Sequence, residues 1–342
     1  MINHQTKLYL IITAIFVAVI LLTIGIFNFL SHNNQPVVQS IDNKSKKELV
    51  YRHPLSGLPL TEDQTTDFFA INIMFDNAYD ARPQYGLEEA DIVYEALAEG
   101  NITRLLGVFD SHKNIEKIGP VRSARPYFMD FASEYGGVYM HVGGSPEALA
   151  SIDDYDFYNV DQIGAGEIYF WRDTNLLAPH NVFTSSSNWL RVGEIKEIPN
   201  IDLVDNWLFV DDNSIEATTT DFKIDYNQPY QVEWKFNDNL GTYLRWQGDE
   251  KFIYATGEQT RADNIIVQVV DAQVIDDKLR RNMDTQEGGQ VFIFNKLGEQ
   301  LGNWQIVNGR TKFFDEEKNE LKLVAGHTWI QIILSEDMLI TE

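Results

Sequence analysis

The chain has 342 residues, and its 51 acidic against 27 basic side chains give a net charge of −24, with no cysteine. The absence of cysteine excludes disulfides, thiol nucleophiles, cysteine-ligated zinc sites and iron–sulfur clusters. The negative net charge argues against binding to nucleic acid, because contacts with many phosphates require a basic surface. The length predicts roughly two domains, and the 44% of apolar residues suffice for packed cores.

The amino-terminal part predicts a membrane anchor. Residues 8–30 form a stretch of 23 residues without a charged side chain. As a helix this stretch is about 34 Å long, enough to cross a hydrocarbon core of about 30 Å. No cleavage site typical of a signal peptide follows it. We therefore expect a cytoplasmic head at 1–7, a transmembrane helix at 8–30 and a flexible, polar tether at 31–50. The protein is then a single-pass protein of the cell membrane with its body outside.

Residues 51–215 are predicted to form a mixed α/β domain. Short apolar runs rich in Ile, Val, Tyr and Phe are typical of strands, and they lie at 70–75, 91–96, 104–109 and 137–142. Apolar side chains at helical spacing follow Pro126, with Ser123 as the expected cap. Ser145 followed by Pro146 predicts the start of another helix.

Residues 216–342 are predicted to form a β-rich antiparallel domain. Apolar runs and turn residues alternate regularly from about residue 222, which is typical of a sandwich or barrel-like unit. Asn308 and Gly309 form a strong two-residue hairpin signal between two such runs. The expected fold class is therefore α+β, with the α/β domain preceding the β-rich one.

The strongest candidate for a binding site is a basic segment. Residues 104–125 carry a net charge of +3, whereas residues 51–342 as a whole carry −26. Arg122 and Arg125 stand at the predicted start of a helix, where two guanidinium groups and free backbone N–H groups bind carboxylate or phosphate well. The alternative is that both arginines pair with internal acids such as Asp110 or Glu95 and only stabilise the fold.

A second anion-binding element is predicted at Gly143, Gly144 and Ser145. A glycine pair between a strand and a helix lets the backbone approach a ligand closely. The alternative is a tight turn with a helix cap and no ligand. A nucleophilic role for Ser145 lacks support, since no G-x-S-x-G pattern surrounds it.

The histidines His112, His141 and His180 lie in the central part of the predicted α/β domain. Together with Asp110 or Glu95 they are candidates for acid/base chemistry, of which we retain His141, His180 and Asp110 as weak catalytic candidates. A strand histidine such as His141 also fits a hydrogen-bonded structural role. No HxH or HExxH spacing occurs, so neither a metal nor a cofactor is predicted.

Several motifs, taken in order, resemble the YerB-like lipoprotein family of Gram-positive bacteria, whose two domains have no assigned function. The motifs are Ala81-Arg82-Pro83-Gln84, Ala90-Asp91-Ile92-Val93-Tyr94-Glu95, the run 118–128 with Gly119-Pro120-Val121-Arg122-Ser123-Ala124-Arg125-Pro126, His141-Val142-Gly143-Gly144-Ser145-Pro146, His180-Asn181, Ala262-Asp263-Asn264 and Gly326-His327-Thr328-Trp329-Ile330. The resemblance implies a surface location and a two-domain architecture but no catalytic residues. Family members typically carry a lipidated cysteine, and the predicted transmembrane helix takes its place here.

Three hypotheses for the function follow. The first is a membrane-anchored, extracytoplasmic envelope protein that binds an anionic small molecule or cell-wall component through its α/β domain. The second is a protein-interaction adaptor that binds another envelope protein through the β-rich domain. The third is a hydrolase or transferase acting on a phosphate- or sugar-containing envelope polymer. The first hypothesis implies a binding protein rather than an enzyme.

Overall fold

The computed structural model describes residues 39–40, 49–61, 67–200, 206–210 and 219–341. The chain forms two compact units, Met1–Val50 and Tyr51–Glu342. In the first unit, strand β1 (Gln39–Ser40) pairs antiparallel with strand β2 (Leu49–Val50), inside the segment predicted as a tether. The predicted head and anchor lie outside the described residues. Within those described ranges, none of the helices has both the length and the apolar character that a membrane crossing requires.

The second unit consists mainly of short strands. In the part predicted as the α/β domain these are β3 (Ala70–Asp76), β4 (Ile92–Leu97), β5 (Thr103–Asp110), β6 (Val138–His141), β7 (Tyr158–Asp161), β8 (Trp171–Arg172), β9 (Val182–Phe183) and β10 (Phe209–Val210). The later strands are β11 (Phe222–Ile224), β12 (Val232–Asn237), β13 (Thr242–Gln247), β14 (Glu250–Lys251), β15 (Arg261–Ala262), β16 (Asn264–Val269), β17 (Ala272–Val274), β18 (Arg281–Met283), β19 (Gly289–Asn295), β20 (Gly298–Val307), β21 (Arg310–Phe314), β22 (Leu323–Val324), β23 (Thr328–Ile333) and β24 (Leu339–Thr341). The four runs predicted as strands coincide with β3 to β6.

Ten of these strands form one mixed sheet in the order β21-β20-β19-β16-β23-β4-β5-β3-β6-β7. Strand β23 lies between β16 and β4 and runs parallel to both, with Gln331 opposite Glu95. All its residues are buried, as expected of a central strand that is covered on both faces. The segments predicted as separate domains, 51–215 and 216–342, therefore share one sheet, and the later segment is not purely antiparallel. Local periodicity does not reveal this arrangement, because it carries no information on distant pairing partners.

The second sheet retains the antiparallel pairing expected for the later segment. Its strands follow the order β14-β13-β12-β11-β24, and β15 also pairs with β13. Asn308 and Gly309 connect β20 to β21 with positive φ angles of 52° and 80°. The predicted two-residue hairpin is thereby confirmed.

The four α-helices that the structure describes are α1 (Pro126–Ser133), α2 (Pro146–Ser151), α3 (Gln162–Ala165) and α4 (Ser186–Ile195). Helix α1 begins at Pro126, as predicted, but its N-cap is Arg125, so the assignment of Ser123 as the cap was wrong. The carbonyl of Ser123 instead accepts a hydrogen bond from Arg104. The Ser145 hydroxyl caps α2, as predicted, by accepting a hydrogen bond from the backbone of Ala148.

An extended segment, 118–124, links the sheet to the helices around the candidate site. The backbone N–H of Asp76, at the end of β3, donates to Pro120, and that of Arg122 donates to Met74. On its other side the segment pairs with residues 182–184 through the backbones of Ile118 and Thr184. The end of β3 and the loop before β9 are therefore brought to the same segment.

Candidate functional site

The two predicted anion-binding segments lie side by side. The backbone N–H of Val142 donates to Arg122 at 3.1 Å, that of Ala124 donates to Gly143 at 2.9 Å, and that of Ser145 donates to Ala124 at 3.3 Å. The arginine segment and the glycine turn thus meet through their backbones. Their side chains have different surroundings, which decide what each residue is able to bind.

Arg122 belongs to a cluster that also contains Asp76 and His180, here named the Asp76 cluster. Its Nε lies 3.0 Å from Oδ2 of Asp76 in an ion pair without hydrogen-bond geometry, and Nδ1 of His180 forms a hydrogen bond with the same oxygen at 2.7 Å. The Asp76 side chain is only 4% exposed, whereas those of Arg122 and His180 are 24% and 19% exposed. Two side chains that carry N–H donors are therefore held by one buried carboxylate and remain accessible from outside.

The Asp76 cluster retains unused donors. The terminal guanidinium nitrogens of Arg122 and Nε2 of His180 make no hydrogen bond with the part of the chain that the structure describes. Because a guanidinium carries five N–H groups in a planar fork, Arg122 still has the edge that binds carboxylate or phosphate. The cluster is therefore the part of the predicted site that is able to bind an anion.

Arg125 has a different environment, here named the Glu99 clamp, which consists of Glu99, Arg104 and Arg125. Its Nε donates to Glu99 at 3.0 Å, its Nη2 donates to the other carboxylate oxygen, and Nη2 of Arg104 donates to Glu99 at 3.0 Å. Burial alone would raise the pKa of Glu99, but Arg104 and Arg125 outweigh it and lower this pKa to about 2. Arg125 is thus engaged in an internal ion pair, as in the alternative that the sequence left open.

The glycine turn also uses its backbone groups internally. The N–H of Gly143 donates to the Asp161 carboxylate at 2.7 Å, and its carbonyl accepts hydrogen bonds from Ala124 and from Nδ1 of His141. Gly143 has a φ of +56°, a conformation that favours glycine. Gly144 pairs with Ala124, and Ser145 serves as a cap. The turn therefore joins β6 to α2, and the N–H of Gly143 is not free for a ligand.

His141 is fully buried, and both its ring nitrogens have partners. Nδ1 lies 2.7 Å from the carbonyl of Gly143, and Nε2 lies 2.7 Å from the side-chain amide of Asn159. The carbonyl of Gly143 accepts a hydrogen bond from Nδ1, and Oδ1 of Asn159 is the atom that contacts Nε2. This arrangement fits the structural role that the sequence left open, and of the two histidines retained as catalytic candidates only His180 is accessible.

Asp110 lies away from Arg122. In the pairing of β3 with β5, Asp76 stands opposite Arg104 while Ala70 stands opposite Asp110. Six residues of strand separate these two positions, which is about 20 Å. Nε2 of His53 contacts Asp110 at 3.1 Å, and the backbone of His112 donates to it at 2.7 Å. Burial alone would raise the pKa of Asp110, but the hydrogen bonds with His53 and His112 outweigh burial and lower this pKa.

The acids that hold the two arginines were not the ones that the sequence suggested. Glu95 is fully buried and accepts hydrogen bonds from Arg245 with both its oxygens, at 2.8 and 2.9 Å. The partners of Arg122 and Arg125 are instead Asp76 and Glu99, which sequence reasoning missed. Asp76 directly follows the apolar run 70–75, and a carboxylate at the end of a buried strand is a signal that could have identified it.

Comparison with known proteins gives matches along most of the chain. The N-terminal domain of a protein of unknown function (DUF3048) matches residues 55–198, and the C-terminal domain of DUF3048 matches residues 222–330. A Bacillus subtilis protein named "Putative lipoprotein YerB" is 32% identical over 285 residues, which cover 82% of this chain and 85% of that protein. The crystal structure of YerB protein from Bacillus subtilis has a TM-score of 0.77 and 30% identity, covering 85% of this chain and 99% of that one.

Proposed function

The chain belongs to the DUF3048 family of YerB-like proteins, and on that premise we propose that it is a membrane-associated, extracytoplasmic protein of the cell envelope that binds an anionic envelope component or metabolite at the Asp76 cluster. The Bacillus relative is named "Putative lipoprotein YerB", and this name supports the location. The uncharged stretch 8–30 supports an anchor in this chain, which has no cysteine to carry a lipid.

One observation carries the binding proposal. Arg122 and His180 converge on a single oxygen of the buried Asp76, and their outer nitrogens make no hydrogen bond with described residues. Holding both side chains on one carboxylate removes much of the rotamer entropy that binding would otherwise cost. The cluster is therefore preorganised for an oxyanion that accepts hydrogen bonds from both.

Titration of the full-length protein in detergent with inorganic phosphate tests this proposal. We expect Arg122→Gln to weaken phosphate binding by about tenfold or more, since it removes the charge that pairs with the anion. The control is Arg191→Gln, since Arg191 is exposed and its guanidinium donates to the carbonyl of Ile168. Equal affinities of wild type and Arg122→Gln would contradict the proposal. Mass spectrometry of small molecules that co-purify with the two proteins then identifies the natural anion.

A second candidate function, a hydrolase or transferase on an envelope polymer, is favoured by the contact between Asp76 and His180. A carboxylate on Nδ1 orients the imidazole and leaves Nε2 as a base. Activity on envelope extracts is expected to disappear in His180→Ala and to fall in Asp76→Asn. Activity that survives His180→Ala would remove the histidine from any reaction.

A third candidate, an adaptor for another envelope protein, is favoured by the hairpin of β17 and β18. Val274, Ile275 and Leu279 on or beside its strands are 55%, 46% and 37% exposed. Exposed aliphatic side chains grouped on one hairpin are typical of an interaction surface. Replacing Val274 and Ile275 with serine is expected to abolish recovery of a cross-linked partner, and unchanged recovery would exclude this hairpin.

A further inference from the structure

A cavity of about 350 Å³ lies beside the loop that precedes β4, and its lining shares no residue with the Asp76 cluster. It is lined on the loop side by Tyr79 and Arg82, and on the side of β13 and β14 by Gln247, Lys251 and Phe252. Its volume falls in the range of small-molecule pockets, which is about 300–1,000 Å³. The cavity thus combines aromatic walls with groups that are able to donate hydrogen bonds.

Arg82 is surrounded by aromatic rings and has few polar contacts. Its guanidinium carbon lies 5.9, 5.5 and 5.4 Å from the ring centres of Tyr79, Tyr230 and Phe252. Within the described part of the chain, its side chain makes one hydrogen bond, from Nη2 to the carbonyl of Asn77 at 3.0 Å, and its buried Nε has no partner there. Burial, followed by the nearby charge of Arg245, lowers the pKa of Arg82 to about 10. The side chain therefore stays charged at neutral pH but is poorly satisfied.

Gln247 provides a second donor without a partner. The residue is 4% exposed, and its Oε1 accepts a hydrogen bond from Nη1 of Arg245 at 3.1 Å. Its amide nitrogen is buried and makes no hydrogen bond with any residue that the structure describes. Buried donors without partners are rare in native proteins, and two side chains that line this cavity each carry one with no partner among the described residues.

The charges around the cavity also favour an anion. Arg245 is paired with Glu95 through two hydrogen bonds. Arg82 has no ion pair within the described ranges, and the charges of Lys251 and Glu250 on the lining oppose each other. Among the described residues that line the cavity, Arg82 therefore carries the positive charge that no other lining charge offsets.

We propose that this cavity binds a small organic carboxylate, whose oxygens accept hydrogen bonds from Arg82 and Gln247 and whose apolar body packs against Tyr79 and Phe252. A planar carboxylate matches the guanidinium fork better than a spherical anion does. The aromatic walls select a ligand with an apolar part, which a free inorganic anion lacks. This site is separate in its residues from the anion site at Arg122.

Calorimetric titration of the full-length protein in detergent with sodium benzoate tests the proposal, with benzyl alcohol as the uncharged analogue. We expect saturable benzoate binding in the millimolar range or tighter, and weaker binding of benzyl alcohol. Arg82→Gln is expected to weaken benzoate binding by about tenfold or more. Tyr79→Ala is expected to weaken benzoate binding by about threefold or more. Because the Tyr79 side chain is exposed, this substitution should not impair folding. The matched control is Arg191→Gln.

Two results would overturn the proposal. The first is an absence of saturable benzoate binding up to about 20 mM, which would leave water as the occupant that satisfies the donors. The second is an unchanged benzoate affinity in both Arg82→Gln and Tyr79→Ala. If Arg82→Gln fails to fold, Arg82→Lys replaces it, because lysine keeps the charge but loses the planar fork, and Tyr79→Ala then decides independently.

Discussion

The buried pair of Glu95 and Arg245 and the Asp76 cluster are both built from a carboxylate and an arginine, yet their surroundings differ. Glu95 and Arg245 are fully buried, and Glu95 also accepts hydrogen bonds from Thr103 at 2.8 Å and from Trp329 and Gln331 at 3.2 Å. The oxygens of Glu95 are thus well satisfied inside the protein. This pair joins strands β4, β13 and β23, which come from both halves of the chain.

In the Asp76 cluster only the carboxylate is buried. Arg122 and His180 each contact Asp76 with one nitrogen. Their other nitrogens make no hydrogen bond with a described residue. The difference indicates that the degree of satisfaction, rather than the presence of an arginine, separates a structural ion pair from a binding site. The Glu99 clamp stands between the two, since both its arginines are paired while Glu99 stays 32% exposed.

The largest effect is expected from Glu95→Gln, which leaves Arg245 charged and buried without its partner. Removing one member of a buried ion pair lowers the free energy of unfolding by about 3–5 kcal/mol. Urea denaturation of the variant measures this loss of unfolding free energy. The control is Glu167→Gln, at an exposed position. The double variant Glu95→Gln/Arg245→Met is expected to recover part of the loss. A loss below about 1 kcal/mol in the single variant would show that the pair does not hold the halves together.

The next largest effect is a difference in stability between variants of Arg125 and Arg122, which lie three residues apart. Arg125→Gln is expected to lower the free energy of unfolding by about 1–3 kcal/mol, because it leaves Glu99 with Arg104 alone. Arg122→Gln is expected to cost less than about 1 kcal/mol, since His180 and the backbone of Ala78 still satisfy Asp76. The same urea titrations measure both. An equal or larger cost for Arg122→Gln would make Arg122 a structural residue.

A smaller effect is expected from Gly143→Ala, which tests whether the glycine turn is structural. A left-handed backbone costs a residue with a side chain roughly 1–2 kcal/mol, and Gly143 has a φ of +56°. The added Cβ would also lie 2.7 Å from the flexible end of Ile163. Gly164→Ala, at a residue without a positive φ and with no atom within 4 Å of the added Cβ, serves as the control for stability. Both variants should bind phosphate like the wild type, and weaker binding by Gly143→Ala would restore a role in the site.

The smallest expected effect is the loss of stability at low pH that results from protonation of Glu99. A carboxyl whose folded pKa of about 2 lies below its ordinary value of about 4.3 stabilises the fold above pH 4.3. This stabilisation is lost as the pH falls from about 4.3 to 2. Because the side chain is partly exposed, we expect Glu99→Gln to reduce the free energy of unfolding at pH 7 by only about 1 kcal/mol. The gap to wild type should close near pH 2, and a constant gap would mean that the clamp does not depend on the charge of Glu99.

The amino-acid sequence predicts the local elements of this protein well. The run 70–75 is a strand because consecutive apolar, β-branched and aromatic side chains suit a strand buried on both faces. Asn308 and Gly309 form a hairpin because both residues tolerate positive φ. Ser145 caps a helix because its hydroxyl reaches the backbone three residues ahead. Each of these results depends on neighbours within a few residues.

The candidate site is predicted less completely. The charge pattern and the motifs single out Arg122 and His180, and both lie in the Asp76 cluster. They do not reveal that Asp76 lies between them, or that Arg125 is engaged by Glu99, because those contacts join strands and loops that are distant along the chain. The sequence also does not reveal that Asp110 lies at the opposite end of the paired strands β3 and β5 from Asp76, because this depends on the register of their pairing.

By itself, the sequence determined the uncharged stretch 8–30, the acidic body with its basic segment, the lack of cysteine and the position of strands β3 to β6. Only the tertiary structure decided that β23 lies beside β4, so that the two segments share one sheet, and that Glu95 pairs with Arg245. The physical reason is that local periodicity tells which faces of a strand are buried, whereas its neighbour is selected by packing over the whole unit. The same packing satisfies some charged side chains and leaves others free to bind.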